Sequence, residues 1–195
     1  MSALLSALRK EPELSKVLRS LLEDSQPRLA LIQELSKHRL LYFAYGSNLL
    51  SSRIQAANRA PGAVSLGAAQ LEGHCLVFDL PGMIEGETAG GGVANIRPSP
   101  GASLWGALYW MPQPQLVRLN NLEAGFGYRV LFEPVVSPVF GVLKAYYYLA
   151  EAQLVVEAAP TEVYRRYLID GALEQRLPEG YRQQLQSQMD RLQKA

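Results

Sequence analysis

Hydrophobic and polar positions change their period twice along the chain. Up to residue 39 the apolar residues fall at helical spacing. Leu4, Leu5 and Leu8 are followed by Leu14, Val17, Leu18, Leu21 and Leu22, and Leu29, Leu31, Ile32 and Leu35 come after Pro27. Pro27 is placed to open a second helix. Residues 1–39 therefore predict a helical hairpin with a leucine stripe, joined at Asp24–Pro27, that covers core surface or a subunit contact and is compatible with a homodimer. A partner-binding or membrane-surface helix is the sharper alternative, and the mixed charges of its polar face weigh against a membrane.

From residue 40 the apolar runs shorten and fill with β-branched and aromatic residues, the pattern of strands. Strands are predicted over 40–45, 63–71, 74–79, 93–97, 103–110, 128–136 and 142–149, the last two antiparallel across Pro138–Gly141. Pro98–Gly101 is predicted as a turn, and the glycine-rich Pro81–Gly92 as a loop. Pro112 opens a helix over Gln113–Asn121 that ends near Gly125. After Pro160 the helical period returns, with Thr161 as the N-cap of one helix and Pro178 at the start of a last one carrying Tyr181, Leu185, Met189 and Leu192. Strands in the middle and helices at the ends predict an α+β domain at 40–195 on an antiparallel or barrel-like sheet, preceded by the 1–39 extension.

Everything is organised around Leu40–Leu49. A buried strand stops abruptly at Gly46-Ser47-Asn48, and Ser51–Asn58 resembles the first turns of a helix, with Asn48, Ser51 or Ser52 available as its cap. A strand–turn–helix of this kind points main-chain N–H groups at a position where carboxylates and oxyanions bind well. Gly46 lets a ligand come close. An ordinary strand-to-helix connection has the same local pattern.

Composition removes several chemistries. Charged residues are 19% of 195 and the net charge is +1, so no basic field argues for nucleic acid. No apolar run reaches the roughly 20 residues that span a bilayer, and Met1–Lys10 lacks a secretory pattern, so a cytoplasmic protein is expected. Cys75 is the lone cysteine, and the two histidines, His38 and His74, sit in the hairpin and in a strand pattern. No metal-ligand spacing, Ser–His–Asp arrangement, phosphate loop or dinucleotide fingerprint follows from them, and no metal or cofactor is expected. What remains is the turn of main-chain donors, several tyrosines and a few carboxylates. Among these Glu123 stands out, flanked by Leu122, Ala124, Gly125 and Phe126. A carboxyl desolvated by such neighbours has a raised pKa and can both take and give a proton near neutrality. A helix-end glutamate turned to solvent would have the same local sequence, and a solvent-facing side chain is the reading for Glu85, Glu87 and Glu133.

Tyr42-Phe43-Ala44-Tyr45-Gly46-Ser47-Asn48-Leu49 resembles the signature of the γ-glutamylcyclotransferases. Four further stretches resemble that family in order: Gly91–Ile96 with Ser99-Pro100-Gly101, Trp105-Gly106, Leu119–Gly125, and Pro160–Tyr164 with Leu177–Tyr181. Asn120 stands where relatives often have Asp. The resemblance implies a small barrel-like sheet flanked by helices, and conversion of a γ-glutamyl amide to 5-oxoproline and a free amine. It implies Glu123 as the catalytic acid–base and the residues from Tyr42 to Leu49 as the substrate-binding stretch, with tyrosine contacts at Tyr128, Tyr148 and Tyr164; Tyr146, Tyr147 and Tyr167 are taken as core. The implied partner is a small γ-glutamyl substrate. Two alternatives stand beside it: a cyclotransferase for a γ-glutamyl-tagged biosynthetic intermediate, and a non-catalytic binding or scaffolding protein that uses the N-terminal helices.

Overall fold

The structure, a computed structural model, describes residues 39–194. The expected helical hairpin lies outside the described residues except for Arg39, which begins the first strand. Strand β1 (Arg39–Ala44) leads into a 3-10 turn at Ser47–Leu49 and a one-turn helix α1 (Ser51–Ile54). Two long strands, β2 (Val64–Pro81) and β3 (Gly92–Pro112), are followed by α2 (Gln113–Ala124), the β4 (Arg129–Ser137) and β5 (Gly141–Leu149) hairpin, α3 (Glu162–Glu174) and α4 (Glu179–Lys194).

The strands close into a barrel in the order β1-β3-β2-β4-β5, with β5 returning to β1 in parallel at Tyr42 and Tyr146 and every other pairing antiparallel. This is the α+β barrel with flanking helices that the period changes predict. One element differs. The two expected pairs of short strands are two continuous strands, because Pro98–Gly101 does not reverse the chain. It sits in an irregularity where the register jumps from His74–Pro98 to Glu72–Ser103, with Gly73 and Gly101 both at positive φ. Two further register shifts, at Ser65/Gly67 and Val77/Leu80, add one extra residue each to β2. Such bulges bend a long strand and let a small sheet curl shut.

The core is built from Phe43, Phe78, Ile96, Leu104, Leu108, Tyr109 and Tyr147, all fully buried. Helix α3 presses directly on the 3-10 turn at Gly171, where a Cβ would lie 2.6 Å from both the Leu49 Cβ and the Leu50 nitrogen. Three hydrogen bonds then fasten the turn. Gln175 Nε2 donates to Leu49 O at 3.1 Å and to Tyr109 Oη at 2.9 Å, and Tyr109 Oη donates to the same carbonyl at 2.9 Å. Buried carbonyls without partners are costly, so this clamp holds the turn in one place. At the start of α3 the Thr161 hydroxyl accepts from Tyr164 N at 3.2 Å, the cap its sequence position predicts.

Candidate active site

Glu123 comes from the last turn of α2. Leu116 and Leu119 of that helix are buried against the barrel, and Glu123, four residues after Leu119, shares their face. Its side chain is 15% exposed and points inward. Tyr42 comes from the end of β1, Tyr45-Gly46-Ser47-Asn48 from the turn after it, Tyr128 from the approach to β4, Tyr148 from β5 and Tyr164 from the first turn of α3. Together with Ala94 of β3 these residues line a cleft of about 320 Å³. Six separate segments of the chain thus converge on one end of the barrel.

Three residues of the expected substrate-binding stretch do not reach the cleft. Phe43 and Ala44 are fully buried, and Leu49 is 1% exposed. Side chains alternate across a strand, so Phe43 points to the opposite face from Tyr42. Its ring packs over Gly106, where a Cβ would clash with Phe43 Cζ at 2.7 Å and with the Ala44 carbonyl at 2.3 Å. Leu49 faces Gly171 of α3. The three residues are packing that fixes the turn, not lining. Gly46 has a φ of −103°, so its role is close approach and not a left-handed turn. A Cβ there would sit 3.2 Å from the Tyr164 hydroxyl and 3.4 Å from Ala94 Cβ. Asn48, Ser51 and Ser52 do not cap the short helix after the turn, whose N-cap is Leu50 without a side-chain bond.

Asn48 instead reaches Glu123. Its Nδ2 donates to Tyr42 Oη at 3.1 Å and to Glu123 Oε1 at 3.4 Å, while its Oδ1 accepts from Arg59 Nη1 at 3.1 Å. Arg59 Nη1 also donates to Glu123 Oε1 at 3.3 Å, with the guanidinium side chain 10% exposed. Sequence reasoning missed Arg59. The one local signal was a cation in the nearly uncharged run from Ile54 to Gln70, which a surface arginine would also give. Burial pushes the Glu123 carboxyl above its ordinary value, and Arg59 and Asn48 pull the other way without cancelling the shift. Its proton affinity is thus set by two opposing influences, a low-dielectric setting and one paired cation.

The tyrosines are kept protonated. Burial pushes the Tyr164 phenol up to about 12, against hydrogen bonds from the main chain of Ala94 and Ser47, and raises Tyr42, Tyr45, Tyr128 and Tyr148 as well. Each therefore remains a neutral hydroxyl at neutral pH. Several are held by main chain on the cleft wall: Tyr45 Oη donates to Tyr148 O at 2.7 Å, Tyr128 Oη to Ala94 O, and Tyr164 Oη accepts from Ala94 N at 3.2 Å. Tyr148 Oη donates to Asn120 Oδ1 at 2.6 Å, tying β5 to α2 one turn before Glu123. The rings of Tyr42 and Tyr148 lie 5.4 Å apart, and those of Tyr128 and Tyr148 6.4 Å apart edge to face. Among the described residues no three of His, Cys, Asp and Glu are grouped to hold a metal, and no helix is long and apolar enough to cross a membrane.

A closed five-stranded barrel thus carries a mostly buried, cation-paired glutamate in a tyrosine-walled cleft, chemistry suited to an enzyme site. Comparison with known proteins makes this specific. The model of the AIG2-like family matches residues 103–185. A gamma-glutamylcyclotransferase from Bos taurus is 36% identical over 150 residues, 75% of this chain and 77% of that protein. One from Homo sapiens is 33% identical over 150 residues, with the same coverage of both. A solved structure described as a gamma-glutamyl cyclotransferase superposes with a TM-score of 0.67 at 31% identity, covering 76% of this chain and 86% of its own. The chain belongs to the γ-glutamylcyclotransferase family, a family of enzymes.

Proposed function

We propose that the protein converts a γ-glutamyl amide or γ-glutamyl amino acid to 5-oxoproline and the free amine, with Glu123 as general base and then general acid. The observation that carries this reading is the meeting of Glu123 and the Gly46–Ser47 turn in one cleft. The reaction is intramolecular. The substrate's α-amino nitrogen attacks its own γ-carbonyl carbon and closes a five-membered ring, so the protein's task is to hold the curled conformer and manage protons.

Glu123 accepts a proton from the α-ammonium. The freed amine forms the new C–N bond, and negative charge collects on the γ-carbonyl oxygen. Main-chain N–H groups at Gly46–Asn48 suit either that oxyanion or the substrate's α-carboxylate, and one such donor is worth roughly 3 kcal/mol in a transition state. Glu123 then gives its proton to the departing nitrogen as the old amide bond breaks. The attacking nitrogen loses its second surplus proton to solvent, where the released amine takes one up. A carboxyl with a raised pKa suits both halves of the cycle. Neutral tyrosine hydroxyls orient the glutamyl oxygens, and their rings keep water from the γ-carbonyl. Arg59 and Asn48 are positioning residues that hold the carboxylate oxygen toward the cleft.

The test is a panel of γ-glutamyl amino acids and γ-glutamyl amines with 5-oxoproline as the readout. Release from at least one class supports the assignment. A folded protein inert toward the whole panel removes it.

A further inference from the structure

The cleft continues into a second cavity of about 480 Å³ that shares Ser47, Glu123, Tyr128 and Tyr164 with it. The two differ in character. The first is walled by tyrosines and the amide turn, whereas the second is lined by the apolar Met83, Ile84, Val93 and Phe126 together with Arg53 and Arg59. Glu123 lines both. A leaving group protonated by Glu123 therefore has the second cavity directly beside it.

We infer that this second cavity seats the departing half of the substrate and selects γ-glutamyl amino acids whose side chain is apolar. The inference rests on the reading of the first cleft proposed above. Met83, half exposed, and Ile84 belong to the loop between β2 and β3, which is held by hydrogen bonds within itself and to α3's cap residue. Gly82 N donates to Gly91 O at 2.7 Å, Ile84 N donates to Thr88 Oγ1 at 3.0 Å, and Thr161 Oγ1 donates to Glu87 O. The Glu87 carboxylate takes both terminal nitrogens of Arg53, at 2.9 and 2.5 Å. The apolar wall is thus preformed, and a bulky hydrocarbon side chain gains from it what glycine's hydrogen cannot.

The charges specify the other end of the leaving group. Arg53 is neutralised by Glu87, and Arg59 is neutralised by Glu123 only while that acid is ionised. Among the described residues, Arg59 makes its hydrogen bonds through Nη1 alone. When Glu123 holds the proton in mid-reaction, the Arg59 charge lacks its partner, and a carboxylate on the departing amino acid restores it. A diamine would instead bring an ammonium beside Arg59 when that guanidinium lacks its partner. The occupant is therefore an apolar α-amino acid with its free carboxylate.

The test uses four substrates and measures kcat/KM by 5-oxoproline release: the γ-glutamyl derivatives of leucine, glycine, 3-methylbutylamine and 1,4-diaminobutane. The leucine compound is expected to exceed the glycine compound by about tenfold or more, the discrimination an apolar pocket gives for a few carbons. It is also expected to exceed 3-methylbutylamide, which has the same hydrocarbon and no carboxylate, and the diamine derivative is expected to be the poorest. Ile84→Ala and, separately, Phe126→Ala should bring the leucine-to-glycine ratio of kcat/KM most of the way to one, with Phe126→Leu restoring part of it. Ile84 guards against the case in which Phe126→Ala disturbs the end of α2. Equal rates for leucine and glycine in the wild type, or wall variants that slow both alike, overturn the inference and leave the proposed reaction standing. No 5-oxoproline from any of the four removes the reaction and the inference together.

Discussion

Replacing Arg59 with methionine removes one charge and keeps most of the side chain's length. In the structure the Arg59 guanidinium is 3.3 Å from Glu123 Oε1, and both side chains are mostly out of water. An arginine at that distance lowers a carboxyl pKa by about 1–3 units, equivalent to about 1.4 kcal/mol per unit. The sign follows directly. Arg59 favours the carboxylate, so its loss leaves burial less opposed and raises the Glu123 pKa further. The base form then appears only at higher pH. The acid limb of kcat/KM for 5-oxoproline release is expected to move up by about 1–3 pH units, while the rate on the plateau above it falls much less than the rate below it. The assay is a pH–rate profile of wild type and Arg59→Met on one γ-glutamyl amino acid. An acid limb left in its wild-type place, or moved down, refutes the claim that this pair sets the base.

Four other outcomes follow from the same geometry. Glu123→Gln keeps the fold by circular dichroism and lowers 5-oxoproline release by about 10²–10⁴-fold, the range for a general acid–base group. Leu49→Ala, which removes packing against α3, costs about 2–5 kcal/mol of stability in thermal melts and leaves KM of the folded enzyme near wild type, because Leu49 does not line the cleft. Tyr164→Phe strips the acceptor from Ala94 N, and an unpartnered buried amide costs about 1–3 kcal/mol, seen as a lower Tm together with a raised KM. Thr161→Ala loses the cap of α3 and costs about 1 kcal/mol, with an effect on stability larger than that on turnover.

The parts legible in the sequence were those whose signal is local. The end of β1, the glycine-containing turn and the Thr161 cap each carry their cue within a few residues, whereas the sequence left Glu123 open between a desolvated carboxyl and a helix-end one turned to solvent, a choice made by its sharing the face of Leu116 and Leu119. Closure of the barrel could be anticipated only as a class, because the β1–β5 pairing joins residues about a hundred positions apart. Pro98–Gly101 read as a turn because proline and glycine punctuate bulges and turns alike; the two were separable only through its partner strand, where Gly73 also takes positive φ. Arg59 was invisible because its role is defined by a carboxylate 64 residues away. Phe43, Ala44 and Leu49 were grouped with the site because they share its stretch, but strand alternation and the packing of α3 turn them to the core.

The central claim is that the γ-carbonyl is attacked by the substrate's own nitrogen and not by water. Incubating the protein with a γ-glutamyl amino acid in ¹⁸O-enriched water and weighing the product tests it directly. Unlabelled 5-oxoproline in equal amount to the released amino acid is the predicted result, whereas ¹⁸O-labelled glutamate would contradict it.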